Sequence, residues 1–331
     1  MDLDAYSAAH RDEWDELARL GSKRGFSGSE ADSLIEHYQS GATQLSAIKT
    51  TSGQSVQGDR LSLGLSRARL RFTGASANVL SQLPRFFGAQ LPAALFRIRW
   101  LSLAVTAATI AIAALYFFWA LNTPGVLAHL GTAAEQQQYA DHDFVSYYSN
   151  HPAASFFGRV WTNNAWLAAG CVAFGITGVY APYMLFQNAQ SLGMSGALMA
   201  HNGQLDTFFL YIAPHGQLEL YSVFVAGAAG LAIFWSWISP GARTRGQALA
   251  EEGRSLITVA IGLIFSLLVS GIIEGFVTGQ PWPWPVKIGI GVAAISAFLF
   301  YQWGVGRWAV RAGETGDLAE FDSGAKRIIA G

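Results

Sequence analysis

The sequence predicts an all-α protein: a polytopic transmembrane helical bundle with five clear spans and a polar sixth crossing or re-entrant segment, preceded by a cytoplasmic N-terminal helical segment. Three observations predict it. Charged residues make up only 13% of the chain and hydrophobic ones 51%, whereas a soluble domain carries roughly 25% charge. The deficit begins after Arg99, where apolar runs approach the roughly 20 residues that a helix needs to cross a bilayer. The arginines lie between those runs rather than within them.

The start of the chain, Met1-Asp2-Leu3-Asp4, is acidic and has no apolar stretch behind it, so no signal peptide is expected and the first span must drive insertion. Asp4 to Leu20 reads as a helix, with Trp14, Leu17 and Leu20 at spacing three and Gly21 as its stop. Ser29 is the expected cap of a second helix, with Asp32 three residues on and an apolar stripe of Leu34, Ile35, Tyr38, Leu45 and Ile48. A third helix is expected over Gly58 to Leu80. Pro84 breaks it, and the arginine- and aromatic-rich Arg85 to Arg97 reads as an interfacial amphipathic helix.

The five spans are Trp100–Ala120, Trp166–Leu185, Leu218–Ile238, Leu256–Val277 and Ile288–Trp303. Arginines before Trp100, after Ile238 (Arg243, Arg245, Arg254) and in the tail (Arg307, Arg311, Lys326, Arg327) place those regions in the cytoplasm. The loop from Asn122 to Gly158 lacks lysine and arginine and is expected outside. Five crossings do not satisfy these assignments. A sixth is required, and Ser191–Ala213 is the candidate, broken near His201-Asn202-Gly203. It is too polar for lipid and must be shielded by protein or line a wet cavity. The chain thus divides into a cytoplasmic or interfacial helical segment, 1–97, a transmembrane bundle, 98–312, and a cytoplasmic tail, 313–331, with both termini inside.

This topology gathers costly residues at one depth: Asn163 and Asn164 at the start of the second span, Asn188, His201, Asn202 and Asp206 in or beside the polar segment, His215 and Glu219 at the opening of the next span, and Glu274 near the end of its span. His215 and Glu219, four apart, share a helix face. Intramembrane ionisable groups usually face the bundle interior or water, so these residues form a candidate polar cavity. His215 and Glu219 supply half a metal-ligand set, and no H-E-x-x-H spacing completes it. A metal therefore stays an open question, no cofactor is expected, and no catalytic residue can be named. Glycine pairs, Gly175 with Gly178 and Gly227 with Gly230, predict close helix packing. The single Cys171 excludes a disulfide framework and reads as a buried, inert thiol. A net charge of −1 points to no nucleic-acid partner.

Pro214-His215-Gly216-Gln217-Leu218-Glu219, followed by Ala226-Gly227-Ala228-Ala229-Gly230-Leu231, resembles the P-H-G-x-x-E block and small-residue run of the stage II sporulation protein M family. Asn163-Asn164, Gln187-Asn188 with Leu192-Gly193, and Ile273-Glu274 resemble further pieces of its pattern, over roughly residues 85–310. The resemblance implies a multi-pass protein of the bacterial inner membrane and a scaffold or assembly role in cell-envelope remodelling. Implied partners are the lipid bilayer and cell-wall-modifying or other membrane proteins, with a homo-oligomer compatible. An enzyme is not favoured. The polar segment on its own keeps a second reading alive, a transporter or channel for a small solute, ion or lipid.

Overall fold

The computed structural model describes residues 3–23, 25–52, 55–72, 83–123, 125–149 and 153–316. Every regular element among them is helical. Two compact units part between Leu83 and Pro84.

The first unit is built from α1 (Leu3–Ala9), α2 (Arg11–Ser22), α3 (Gly28–Ser52) and α4 (Val56–Phe72). Leu17 and Leu20 of α2, Leu34 and Ile48 of α3, and Leu61, Leu65 and Ala68 of α4 close a dedicated core. At its edge the Trp14 indole N–H donates to Gln44 Oε1 at 2.6 Å. The expected Asp4–Leu20 helix is two helices. The cap of α3 is also shifted: Ser27, not Ser29, faces Glu30, whose carboxylate accepts the Ser27 N–H at 3.0 Å. The expected stretch from Thr73 to Leu80 lies outside the described residues, as do Lys326 and Arg327.

The second unit begins with a π-helical turn, Phe86–Gln90, that runs into α5 (Leu91–Arg97). This is the segment read as interfacial. Its Phe86, Leu91, Ala94 and Leu95 are buried in one core with Tyr221, Val225 and Leu263, so it is part of the bundle. Next come α6 (Arg99–Asn122), the short α7 (Ala133–Gln138) and α8 (Phe144–Ser149), α9 (Ala153–Ala173), α10 (Tyr180–His201), α11 (Leu205–Ile238), α12 (Arg245–Ile273), α13 (Trp284–Phe300) and α14 (Gly306–Arg311). Among the described residues, four helices are long and apolar enough to cross a membrane: Arg99–Asn122, Leu205–Ile238, Arg245–Thr278 and Trp284–Arg311.

Of the two central segments, one departs from the sequence expectation. The run Trp166–Leu185 is not one helix, because a 3-10 turn at Gly175–Thr177 and Gly178, at φ +69°, divide it. The polar stretch Ser191–Ala213 is broken where the sequence places its break, near His201-Asn202-Gly203. It supplies the end of α10, a turn at Asn202–Gln204 in which Gly203 takes φ +75°, and the start of α11.

Helix α11 is the axis of the bundle. Every residue from Tyr221 to Gly230 is buried; small side chains there allow neighbours to close in. A Cβ on Gly175 would sit 2.5 Å from Gly230 Cα, and one on Gly230 would sit 2.5 Å from the Cys171 carbonyl. The outer helices show the opposite pattern: α12 exposes Ile257, Ile261, Ile264, Phe265 and Ile272. So long an apolar stripe is costly in water and is at ease against lipid.

Candidate functional site

Helices α11 and α12 bring two polar stripes face to face. On α11 these are His215, Glu219 and Ser222, at spacings of four and three. On α12 and its π-helical extension Glu274–Thr278 they are Ser266, Ser270, Glu274 and Thr278, each four residues from the last. Such spacings keep side chains on one helix face.

The stripes interlock. Ser222 and Ser266 hydroxyls meet at 2.7 Å, and Ser270 donates to the His215 carbonyl at 3.1 Å. His215 Nδ1 is 3.1 Å from the Thr278 hydroxyl, and its Nε2 is 3.8 Å from Glu274 Oε1. Asn164 of α9 donates from Nδ2 to Glu219 Oε1 at 2.8 Å. His215 and Glu274 are only 5% and 4% exposed, so their partners must come from protein or from a bound species.

Asn164, His215, Glu219 and Glu274 line a cavity of about 480 Å³, shared with Asn188, Ser191 and Ser195 of α10. Its roof is part of the Asn122 to Gly158 loop. Phe144 stacks on Phe208 with ring centroids 5.9 Å apart, and the Tyr148 ring lies 5.9 Å from the His215 ring. Behind the cluster Lys287 donates to the Thr278 carbonyl at 2.8 Å and lies over Trp284 at 3.8 Å.

Of the predicted residues, Asn164, Asn188, His215, Glu219 and Glu274 converge. Three do not. His201 is exposed at the end of α10, Asn202 turns back to the Leu198 carbonyl, and Asp206 is exposed and caps its own neighbour Thr207. They belong to the hairpin turn, where polarity costs nothing. The Asn163 side chain lies outside the described residues. The positions of His215 and Glu219 also differ from expectation. They do not open a helix but lie inside α11, with His215 about 15 Å from its start at 1.5 Å per residue. The positive end of a helix therefore does not account for Glu219.

Tyr148, Ser270 and Thr278 were missed. The serine and threonine were findable, since they lie four residues to either side of Glu274 in an apolar helix. Tyr148 approaches from a loop and left no periodic signal. Chemically, two carboxylates and an imidazole, with their ligand atoms all within 4.8 Å of one another, could hold a proton or a metal ion.

Comparison with known families gives two matches. The model described as stage II sporulation protein M matches residues 73–279, an interval that holds the whole cluster. A second, described as a domain of unknown function (DUF8413), matches residues 4–74. No curated protein and no solved structure matches.

Proposed function

The chain belongs to the stage II sporulation protein M family, and from that premise we propose that this membrane protein is a scaffold or assembly factor in cell-envelope remodelling at the bacterial inner membrane. The observation that carries the proposal is the pairing, in one chain, of a membrane-type bundle with an N-terminal helical unit that has its own core of Leu17, Leu20, Leu34, Ile48, Leu61 and Leu65. A unit that needs no help to bury its apolar side chains is free to offer its polar faces to partners. The arginine-bearing ends of the bundle favour both termini in the cytoplasm.

The test is in-cell crosslinking of the full-length chain followed by quantitative identification of its neighbours. Cell-wall-modifying enzymes should be enriched over a control membrane protein of similar abundance, and polar-to-alanine changes on the exposed faces of α3 should reduce that enrichment. Recovery of lipid-metabolic or unrelated membrane proteins alone would remove the proposal. Topology has its own test. A cysteine at position 215 should react with an impermeant reagent from the outer face only, and labelling from the cytosol would defeat the arrangement.

One observation favours a second reading: the cavity and its His215–Glu219–Glu274 cluster are more than a scaffold needs. Here the bundle would pass a small solute or ion, with the carboxylates handling a proton or cation. Flux into proteoliposomes that disappears in Glu219→Gln would support it. A well-folded protein inert toward every solute tried would count against it.

A further inference from the structure

We infer that His215, Glu219 and Glu274 form a binding site for one divalent transition-metal cation of the zinc class. The assignment rests on the cavity being a binding site and not on the envelope role.

Four observations lead to it. The first is convergence: one ligand atom from each residue lies within 4.8 Å of the other two. Bonds of about 2.0–2.2 Å to a central tetrahedral ion bring donors to roughly 3.4 Å separation, a distance that side-chain rotation can close. The second is the direction of the histidine. The Thr278 hydroxyl reaches the Ile273 carbonyl at 3.4 Å. With its proton given there, it accepts from His215 Nδ1–H and leaves the Nε2 lone pair facing Glu274 Oε1 at 3.8 Å. This tautomer is assigned from the hydrogen-bond pattern. It sets an imidazole lone pair against a carboxylate, an arrangement that calls for a positive species between them.

The third is an orphan. Glu274 is 4% exposed, lines the cavity, and its Oε2 has no hydrogen-bond partner. A buried carboxylate oxygen left bare is costly. The fourth is charge. Among the described residues, no lysine or arginine forms an ion pair with Glu219 or Glu274. Lys287, close by, is committed to the Thr278 carbonyl and the Trp284 ring. Ionised together around a neutral imidazole, the two carboxylates would carry two negative charges, which one divalent cation cancels.

The donor set selects the class. Calcium and magnesium prefer all-oxygen shells, whereas a nitrogen donor with carboxylates suits zinc, manganese or iron(II). Three protein ligands with one side open to a cavity is the arrangement that leaves a water-filled fourth position. The surrounding shell fits too. Metal-bound histidines have their second nitrogen held by a hydrogen bond, and ligating carboxylates are themselves anchored. Thr278 holds Nδ1, and Asn164 holds Glu219 Oε1 at 2.8 Å.

The experiment uses the full-length protein, purified in detergent without a histidine tag, stripped with chelator and titrated with Zn²⁺ and with Co²⁺. One ion per chain is expected, with visible Co²⁺ absorption of low-symmetry coordination. Glu219→Gln and Glu274→Gln preserve shape and should abolish that stoichiometric site. Thr278→Val removes only the support of His215 and should weaken binding by about 10–100-fold. Stripped wild-type protein that stays monodisperse and takes up no ion would overturn the assignment, leaving a shared proton as the neutralising species. Uptake unaffected by both glutamine variants would also overturn it, since the ion would then lie elsewhere. If a glutamine variant aggregates, Thr278→Val decides: unchanged affinity there rejects the site. Neither flux nor any partner enters the readout, so the transport reading can fail while the metal site stands.

Discussion

Replacing Gly230 by alanine tests whether backbone-to-backbone approach holds the bundle together. An added Cβ would lie 2.5 Å from the Cys171 carbonyl oxygen, 3.2 Å from Gly175 Cα and 3.5 Å from Ala181 Cβ. The first obstacle is backbone and cannot rotate away. Restoring a 3.4 Å contact means opening α9 from α11 by about 0.9 Å. A gap of 0.5–1 Å forfeits roughly a quarter to a half of each dispersion contact of about 0.1–0.2 kcal/mol. Over on the order of 15 atom pairs the loss is about 1 kcal/mol, and backbone strain raises it into the range of about 1–3 kcal/mol seen for overpacked cores. Lipid supplies no hydrophobic force to recover it. Alanine's better helix propensity returns up to about 1 kcal/mol. Gly253→Ala is the control, because its Cβ meets nothing nearer than Ile233 Cδ1 at 3.7 Å. Thermal unfolding in detergent should show Gly230→Ala melting several degrees below wild type and Gly253→Ala at or above it. Equal melting temperatures for the two variants would refute the reasoning, since propensity alone would then govern both.

Gln302 bridges two groups, accepting from the Tyr221 hydroxyl at 2.6 Å and donating to the Leu95 carbonyl at 3.0 Å; Gln302→Leu should cost about 1–3 kcal/mol for each group left unpaired, read by unfolding in detergent. In the N-terminal unit the Lys23 ammonium, and next the Ser27 N–H, hold the Glu30 carboxyl down from 4.5 to about 2. A lowered carboxyl stabilises the fold above its ordinary value and loses that contribution as pH falls through about 2. Protection of the amides at the start of α3, measured relative to their intrinsic exchange rates, should therefore fall between about pH 4.5 and 2, and Lys23→Ala should bring the onset to higher pH. The aromatic roof gives a kinetic prediction: in a Cys171→Ala background carrying Glu219→Cys, a water-soluble thiol reagent should react faster once Tyr148→Ala removes the ring beside His215. An unchanged rate would mean that the loop does not close the cavity.

How much of this was legible depended on whether a residue spoke through its own helix or through a neighbour. The apolar runs announced α6, α11, α12 and α13, because each must satisfy a bilayer along its whole length. Glycine pairs announced the Gly175–Gly230 contact, since that spacing serves little else in a helix. The central helices were harder. Asn202 and Asp206 looked costly at membrane depth and turned out to lie at a hairpin turn, because composition locates a polar break in the chain but not its depth in the bundle. Gly203, at positive φ, lies in the break that the sequence places near His201-Asn202-Gly203, whereas Gly178, also at positive φ, was read only as a packing residue and its bend was passed over. The cluster was half visible. His215 and Glu219 share a face by arithmetic, while the meeting with Glu274 depends on the register between α11 and α12, which no single sequence states.

That register raises the question of what the polar stripes are for. Helices in lipid associate through small residues and interhelical hydrogen bonds, each worth about 0.6 kcal/mol on average. Ser222 against Ser266, and Ser270 against the His215 carbonyl, meet that need with neutral groups that satisfy one another. Had adhesion been the whole purpose, two more serines in place of Glu219 and Glu274 would have served at lower desolvation cost. The chain instead places two carboxylates beside a histidine, just past Pro214 in α11 and where α12 passes into a π-helical turn. It also leaves one oxygen bare, facing a cavity. Interrupted helices of this kind recur where a protein binds something. The serine pairs explain why α11 and α12 adhere, and Glu219 adds bonds to Asn164 and Ser270, but Glu274, with one oxygen bare, is left unexplained by adhesion. A positive species beside Glu274, whether a cation from the cavity or a shared proton, is the physical account that the adhesion argument leaves open.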